Sequence, residues 1–275
     1  MNINPILAKD FYKVGHKFQY PEHTTMVYSN FTPRSDRLAN NKFNEGKVVN
    51  FGLQGVVKWL LIDLWNDKFF NMPKEEVVRV YKRRIDNALG KDSVAVDHIE
   101  ALHDLGYLPL EIKALPEGSR VNMKVPLFTV KNTHPAFFWL TNMIETAISA
   151  ECWKSCTTAT TAYAYYTLLS DYAQKTGSPL EFVPLQGHDF SMRGQSGIHD
   201  ASQSSAGHLL SFVGTDTIPA IDYLENYYGA DSDKELVGCS VPATEHSVAC
   251  SNILHIAEQL KSKGGWNGYR LEELL

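Results

Sequence analysis

Three polar clusters hold the side chains best suited to chemistry: HDFSMRG (His188 to Gly194), GTDT (Gly214 to Thr217) and SVPATEHS (Ser240 to Ser247). Each follows an apolar run that reads as a strand, LEFVPLQ, HLLSFV and ELVGCSVP in turn. The pattern therefore delivers an aromatic, an arginine, an aspartate and a histidine to one rim of a sheet or barrel, which is where α/β enzymes build their sites.

His246 lies where the third run gives way to an amphipathic helix expected to reach Leu260. A helix N-terminus offers free N–H groups and a partial positive charge that attract phosphate. An imidazole there serves as a proton shuttle or as a nucleophile that carries a phosphoryl group; the position equally suits a helix-start residue satisfied by backbone. Arg193 stands among Asp189, Phe190 and Gly194. Its guanidinium fork suits a carboxylate or phosphate, and Phe190 offers a flat face for a ring; an internal Asp189–Arg193 ion pair is as natural by chemistry. Asp216 can accept hydrogen bonds from a ligand amide or hydroxyl, or cap the helix expected over 219–228. Trp59, Trp65, Phe69 and Phe70 fall in a helical pattern and read as core.

The elements that must position these groups come in two styles. MVYSNFT (26–32) alternates like a strand and leads into a polar loop, Pro33 to Arg37, while Asn40 to Lys47 is a polar stretch. Apolar residues at 57, 60, 61, 64 and 65 mark one face of a helix, and Pro73 opens another carrying Val77, Val78, Tyr81 and Ile85. Residues 109–132 predict a small antiparallel sheet punctuated by Pro116-Glu117-Gly118 and Pro126. Phe137 to about Lys175 predicts two helices broken near Cys156 to Thr161 and ending at Gly177-Ser178-Pro179. Beyond Leu180 a strand, polar loop, helix rhythm repeats. The fold class expected is α/β: an α+β domain over 1–145, then the first part of a βα-barrel-like domain over 146–275.

The net charge of -5, with basic residues scattered apart from Lys82-Arg83-Arg84, argues against nucleic acid as a partner. The four cysteines form no C-x-x-C pair and suit free thiols in a reducing cytoplasm. No metal-ligand set is expected of the protein itself, and the N-terminus lacks a signal-peptide pattern. Phosphate-loop, dinucleotide, hydrolase-elbow and H-E-x-x-H motifs are absent, so spacing alone supports an α/β enzyme with an anion site.

The chain resembles the nicotinamide phosphoribosyltransferase family along nearly its whole length. ILAKDFYKVGHKFQYP, the GLQ at 52–54, LPLEIKALPEG, PLFTVKNTHP, WLTNMIET, HDFSMRG, GTDT and SVPATEHS match in order. The resemblance implies synthesis of nicotinamide mononucleotide from nicotinamide and phosphoribosyl pyrophosphate in NAD salvage. It also implies a cytoplasmic homodimer with active sites shared across the interface. Phe190 would stack on the pyridine ring, with Tyr12 of a second protomer on the other face. Asp216 would accept from the carboxamide, Arg193 would lie near ring and phosphate, and Asp10 and Arg34 belong to matching N-terminal segments, Arg34 on the phosphate side. His246 would be the residue phosphorylated by ATP, and Mg²⁺ would accompany the pyrophosphate.

Phe11, Met192 and Thr244 depart from the family's usual small polar, aromatic and alanine residues. Family members also continue well past the position matching Leu275, with the remaining barrel strands and basic residues for the pyrophosphate. A partial βα array exposes apolar strand edges, so a fragment or half of a split protein is expected. Two other readings stay open: a nicotinate phosphoribosyltransferase, and a non-catalytic binding or oligomerisation module.

Overall fold

The computed structural model describes residues 3–39 and 45–262. Most of the polar stretch expected over 40–47 and the tail beyond Ser262 lie outside the described residues. Contacts divide the chain into two units, Met1–Cys239 and Ser240–Leu275. The boundary expected near 145 falls at the start of a long helix in the first unit.

Short turns at Pro5–Leu7, Phe11–Val14 and His16–Phe18 precede β1 (Tyr28–Phe31) and β2 (Lys47–Val49). Helix α1 (Leu53–Val56) continues through π-wound turns at Val57–Leu64 and Asn66–Phe70, as the apolar spacing predicts. Pro73, at the N-cap where its missing N–H is harmless, starts α2 (Lys74–Leu89), whose buried face is Val77, Tyr81 and Ile85. Helix α3 (Asp97–Leu105), absent from the sequence reading, follows. Trp65, Tyr81, Phe69, Ile99 and Leu102 are fully buried between these helices, Phe69, Ile99 and Leu102 each contributing about 1.5–3 kcal/mol by leaving water.

The segment 109–132 forms strands β3 (Leu110–Ala114), β4 (Arg120–Asn122) and β5 (Phe128–Asn132), although not one sheet. The order β1-β5-β3 is antiparallel, while β4 leaves to pair with β2. Strand β5 reads buried, half-buried, buried along its length, the mark of a central strand with one face on the core.

After α4 (Leu140–Met143), α5 runs unbroken from Glu145 to Thr176. The break expected near Cys156 to Thr161 does not occur. Two threonines of that stretch turn their hydroxyls onto carbonyls four residues back, Thr157 to Trp153 at 2.9 Å and Thr160 to Cys156 at 2.6 Å, which removes their competition with the helical backbone. Small residues on α5 admit a close neighbour: a Cβ at Gly207 would stand 2.8 Å from the Ser155 carbonyl. The helix ends where expected, with Gly177 at φ 73°, a left-handed conformation that glycine adopts freely.

The βα rhythm after Leu180 is present with much shorter strands. LEFVPLQ is a 3-10 turn, Leu180–Leu185, because Pro184 withholds the N–H that a strand ladder needs. The strand is β6 (His188–Asp189), followed by α6 (Ile198–His208), a helix the sequence reading missed. HLLSFV is mostly the end of α6 and a turn, and strand character begins only at its last residue, where Val213 O accepts from Cys239 N at 2.7 Å. Then come β7 (Gly214–Thr215) and α7 (Ile218–Tyr228). Strands β6 and β7 are parallel, and Cys239 extends the parallel array beside Gly214. All four cysteines are free. Burial pushes the Cys152 and Cys156 thiols up, Cys156 to about 11, so neither is a ready nucleophile.

The second unit is described by α8 (His246–Ser262), which starts at the expected residue. None of its described residues is buried, and Val248, Ile253 and Leu254 are exposed.

Candidate functional site

Two glycines allow β6 and β7 to meet. A Cβ at Gly214 would stand 2.8 Å from both the Gly187 carbonyl and His188 Nδ1, and one at Gly187 would press into the Phe212 ring at 2.5 Å. With hydrogen in those places, His188 pairs with Gly214 and Asp189 with Thr215. The next residue on each strand, Phe190 or Asp216, then emerges at a strand's carboxyl end, the usual ligand edge of a parallel sheet.

Asp189 is the buried staple of this edge. Its carboxylate accepts from Ser191 N at 2.9 Å and from the Thr217 hydroxyl at 3.0 Å, and Asp216 N donates to its carbonyl at 2.9 Å. Burial alone would raise its pKa, yet the surrounding donors, Ser191 and Thr217 among them, hold it below the ordinary carboxylate value. The Asp189 carboxylate is thus occupied by hydroxyls and backbone, and no Asp189–Arg193 ion pair forms among the described residues. Arg193 sits exposed on the single turn Met192–Gly194.

Asp216 does not cap α7, whose N-cap position is Thr217. Its carboxylate instead meets His188 Nε2 at 2.7 Å. The His188 ring lies against Phe190, centroids 4.3 Å apart and planes 29° apart. Phe190 is 67% exposed, leaving a flat apolar surface beside a carboxylate. Beneath, His208 Nε2 meets the Gly214 carbonyl at 3.0 Å, with burial lowering its pKa toward a neutral ring.

The N-terminal candidates gather at the first turn of α5. Asp10 accepts from the Thr146 hydroxyl at 2.5 Å, and buried Lys13 reaches Glu145 at 2.5 Å and the Asn142 carbonyl at 2.7 Å. Between these anchors Tyr12 is 63% exposed, its ring edge-on to His16 at 5.0 Å. Arg34 is exposed on the loop after β1 and lines a cavity of about 390 Å³ with Asn30, Thr32, Asn142 and Glu145.

The first unit therefore brings Phe190 and Asp216 together through His188, with Arg193 on the next turn, and gathers Asp10, Tyr12 and Arg34 around the start of α5. No ring contact joins Tyr12 to Phe190 among the described residues. In the second unit, His246 is the first residue of α8, and Ala249 N donates to the Glu245 carbonyl at 2.9 Å as the helix opens. Sequence reasoning missed His188 as an individual. The signal for it was the paired G-H-D and G-T-D, whose glycines demand close strands and so set the following polar residues side by side. Among the described residues no group of three or more His, Cys, Asp or Glu side chains could hold a metal ion, and no helix is long and apolar enough to cross a membrane.

Residues 4–112 match the family model for the nicotinamide phosphoribosyltransferase N-terminal domain, and residues 185–262 that of the nicotinate phosphoribosyltransferase (NAPRTase) family. A nicotinamide phosphoribosyltransferase of Acinetobacter baylyi is 63% identical over 249 residues, covering 90% of this chain and 49% of the relative. That of Xanthomonas campestris is 29% identical, covering 90% and 49%; that of Mycoplasma genitalium is 29% identical, covering 91% and 54%. The chain thus spans about half the length of the curated relatives it matches. A human nicotinic acid phosphoribosyltransferase structure superposes with a TM-score of 0.55 at 15% identity, over 88% of this chain and 40% of that one, a likeness of fold alone.

Proposed function

We propose that this chain, which matches phosphoribosyltransferase family models over residues 4–112 and 185–262 and a curated nicotinamide phosphoribosyltransferase at 63% identity, is the first half of a nicotinamide phosphoribosyltransferase. With the polypeptide matching its relatives' second half, it makes nicotinamide mononucleotide and pyrophosphate for NAD salvage. The observation that carries this reading is the exposed Phe190 face set beside the Asp216 carboxylate at the ends of two parallel strands. A neutral flat ring with an amide at one edge is the ligand such a pair suits.

The pyridine nitrogen attacks the ribose anomeric carbon. The C–N bond forms as the C–O bond to pyrophosphate breaks, and positive charge builds on the sugar. The attacking nitrogen already has a lone pair, so no base is needed and catalysis is positioning and electrostatics. Phe190 holds one face of the ring, and Tyr12 of a second protomer covers the other in a homodimer with shared sites. Asp216 accepts from the amide N–H₂, and a ligand carboxylate there would meet like charge. Arg193 contacts ring and phosphate, Arg34 the phosphate side, and Asp10 steadies the Tyr12 segment. Mg²⁺ enters with phosphoribosyl pyrophosphate as part of that substrate, neutralising the leaving group. ATP stimulates the reaction by phosphorylating His246, and the enzyme works in the cytoplasm.

The test supplies nicotinamide, phosphoribosyl pyrophosphate, Mg²⁺ and ATP to the chain alone and to the chain joined to the downstream polypeptide of its relatives. Nicotinamide mononucleotide is expected from the completed protein. Product from nicotinate with none from nicotinamide would assign the site to the acid, and no product from either would leave a binding module.

A further inference from the structure

We propose that His188 is a positioning residue that fixes the Asp216 carboxylate and the Phe190 ring as one unit, and so sets the preference of this site for a pyridine carboxamide over a pyridine carboxylate. The inference rests on the phosphoribosyl-transfer reading above and names the group that gives it selectivity.

An ionised carboxylate can only accept hydrogen bonds, so at the 2.7 Å contact Nε2 carries the proton and donates. Nδ1 faces the Gly214 backbone, where a Cβ would stand only 2.8 Å away. The ring cannot swing back without the strand giving way, and it cannot tip forward without losing Phe190, stacked at 4.3 Å. His188 is the better sheltered of the pair, its side chain 23% exposed against 47% for Asp216. The imidazole is thus the fixed member and the carboxylate the group being aimed.

A carboxylate has acceptor capacity for several hydrogen bonds, so the one from His188 helps to set its plane and an amide N–H₂ can be a further donor. A ligand carboxylate brought to the same place would face the Asp216 carboxylate and meet like charge. A histidine that merely filled space would meet none of these conditions together.

The experiment uses the full-length polypeptide that contains this sequence and measures kcat and KM for nicotinamide and for nicotinate. The variants are His188→Phe, which keeps a ring against Phe190 without a donor, His188→Gln, whose amide nitrogen reaches nearly as far as Nε2, and His188→Asn, whose donor falls short. His188→Phe and His188→Asn are expected to raise the nicotinamide KM about tenfold and lower the amide-to-acid ratio of kcat/KM about tenfold, the scale of one charge-assisted hydrogen bond. The kcat for nicotinamide should stay within about threefold, and His188→Gln should restore most of both losses. Thermal melting of each variant separates this from instability, and His188→Asn still decides the matter if the phenylalanine variant does not fold. Unchanged KM and ratio in the variants, or equal losses in Gln and Asn, would overturn the inference alone. A parent protein unable to use nicotinamide would overturn the functional reading and this inference together.

Discussion

His98 makes the stability of the first unit depend on pH in a way that can be worked out in advance. It is the second residue of α3, 5% exposed, with its ring edge-on to Trp139 at 4.9 Å and to Phe18 at 5.7 Å. Its Nδ1 has no hydrogen-bond partner among the described residues. Burial, with Lys17 and Lys9 acting in the same direction and Asp97 opposing, pushes its pKa from 6.5 down to about 3. Above pH 7 folded and unfolded chains both hold a neutral ring, and His98 adds no pH dependence. Below 6.5 the unfolded chain takes up a proton that the folded chain refuses until about pH 3, so stability falls with the pH across that window. At pH 5 the unfolded form has gained about 1.5 pK units of protonation, which is about 2 kcal/mol. Urea unfolding of the parent and of His98→Phe at pH 7 and pH 5 measures it. Other groups titrate in both proteins, so the quantity of interest is the difference, and the parent should lose about 2 kcal/mol more than the variant. Parallel pH profiles would refute a buried neutral imidazole at this position.

Phe190→Ala should raise the nicotinamide KM of the full-length protein about tenfold with a smaller change in kcat, read from steady-state kinetics. Asp216→Asn should cut nicotinamide kcat/KM and narrow the gap to nicotinate; undiminished nicotinamide use would argue for the acid as substrate. His246→Ala should abolish the acid-labile phosphate that ATP leaves on the protein, measured by phosphopeptide mass spectrometry at alkaline pH. Gly55→Ala would put a Cβ 1.9 Å from the Tyr223 hydroxyl and should cost about 1–3 kcal/mol in denaturant unfolding. Part of that loss should return when Tyr223→Phe removes the oxygen.

The parts of this fold that were readable from sequence are those written in local chemistry. Pro73 and Gly177 mark helix ends through missing N–H and left-handed backbone, and the apolar spacing of residues 57–65 and 77–85 gives two helices directly. The departure of β4 to join β2 was not readable, because strand pairing is a long-range choice and both pieces fit either sheet. Nor was the continuity of α5, since threonines that weaken a solitary helix are satisfied here by their own backbone. At the site, residue types pointed to Phe190, Arg193 and Asp216. The partner of Asp216 was hidden because His188 and Asp216 are 28 positions apart and meet only through the pairing of two-residue strands.

The unbroken run of α5 has an evolutionary corollary. Its first turn is moored to the Asp10–Lys13 stretch, and its middle is bound to α6 through Ser155–Gln203 and Lys154–Asp200. Adding or deleting one residue between these moorings would rotate everything downstream by about 100° and slide it about 1.5 Å. Homologous chains should therefore vary freely in the length of their surface loops while conserving the residue count between Thr146 and Lys154, because no neighbouring loop can absorb a miscount inside a rigid rod.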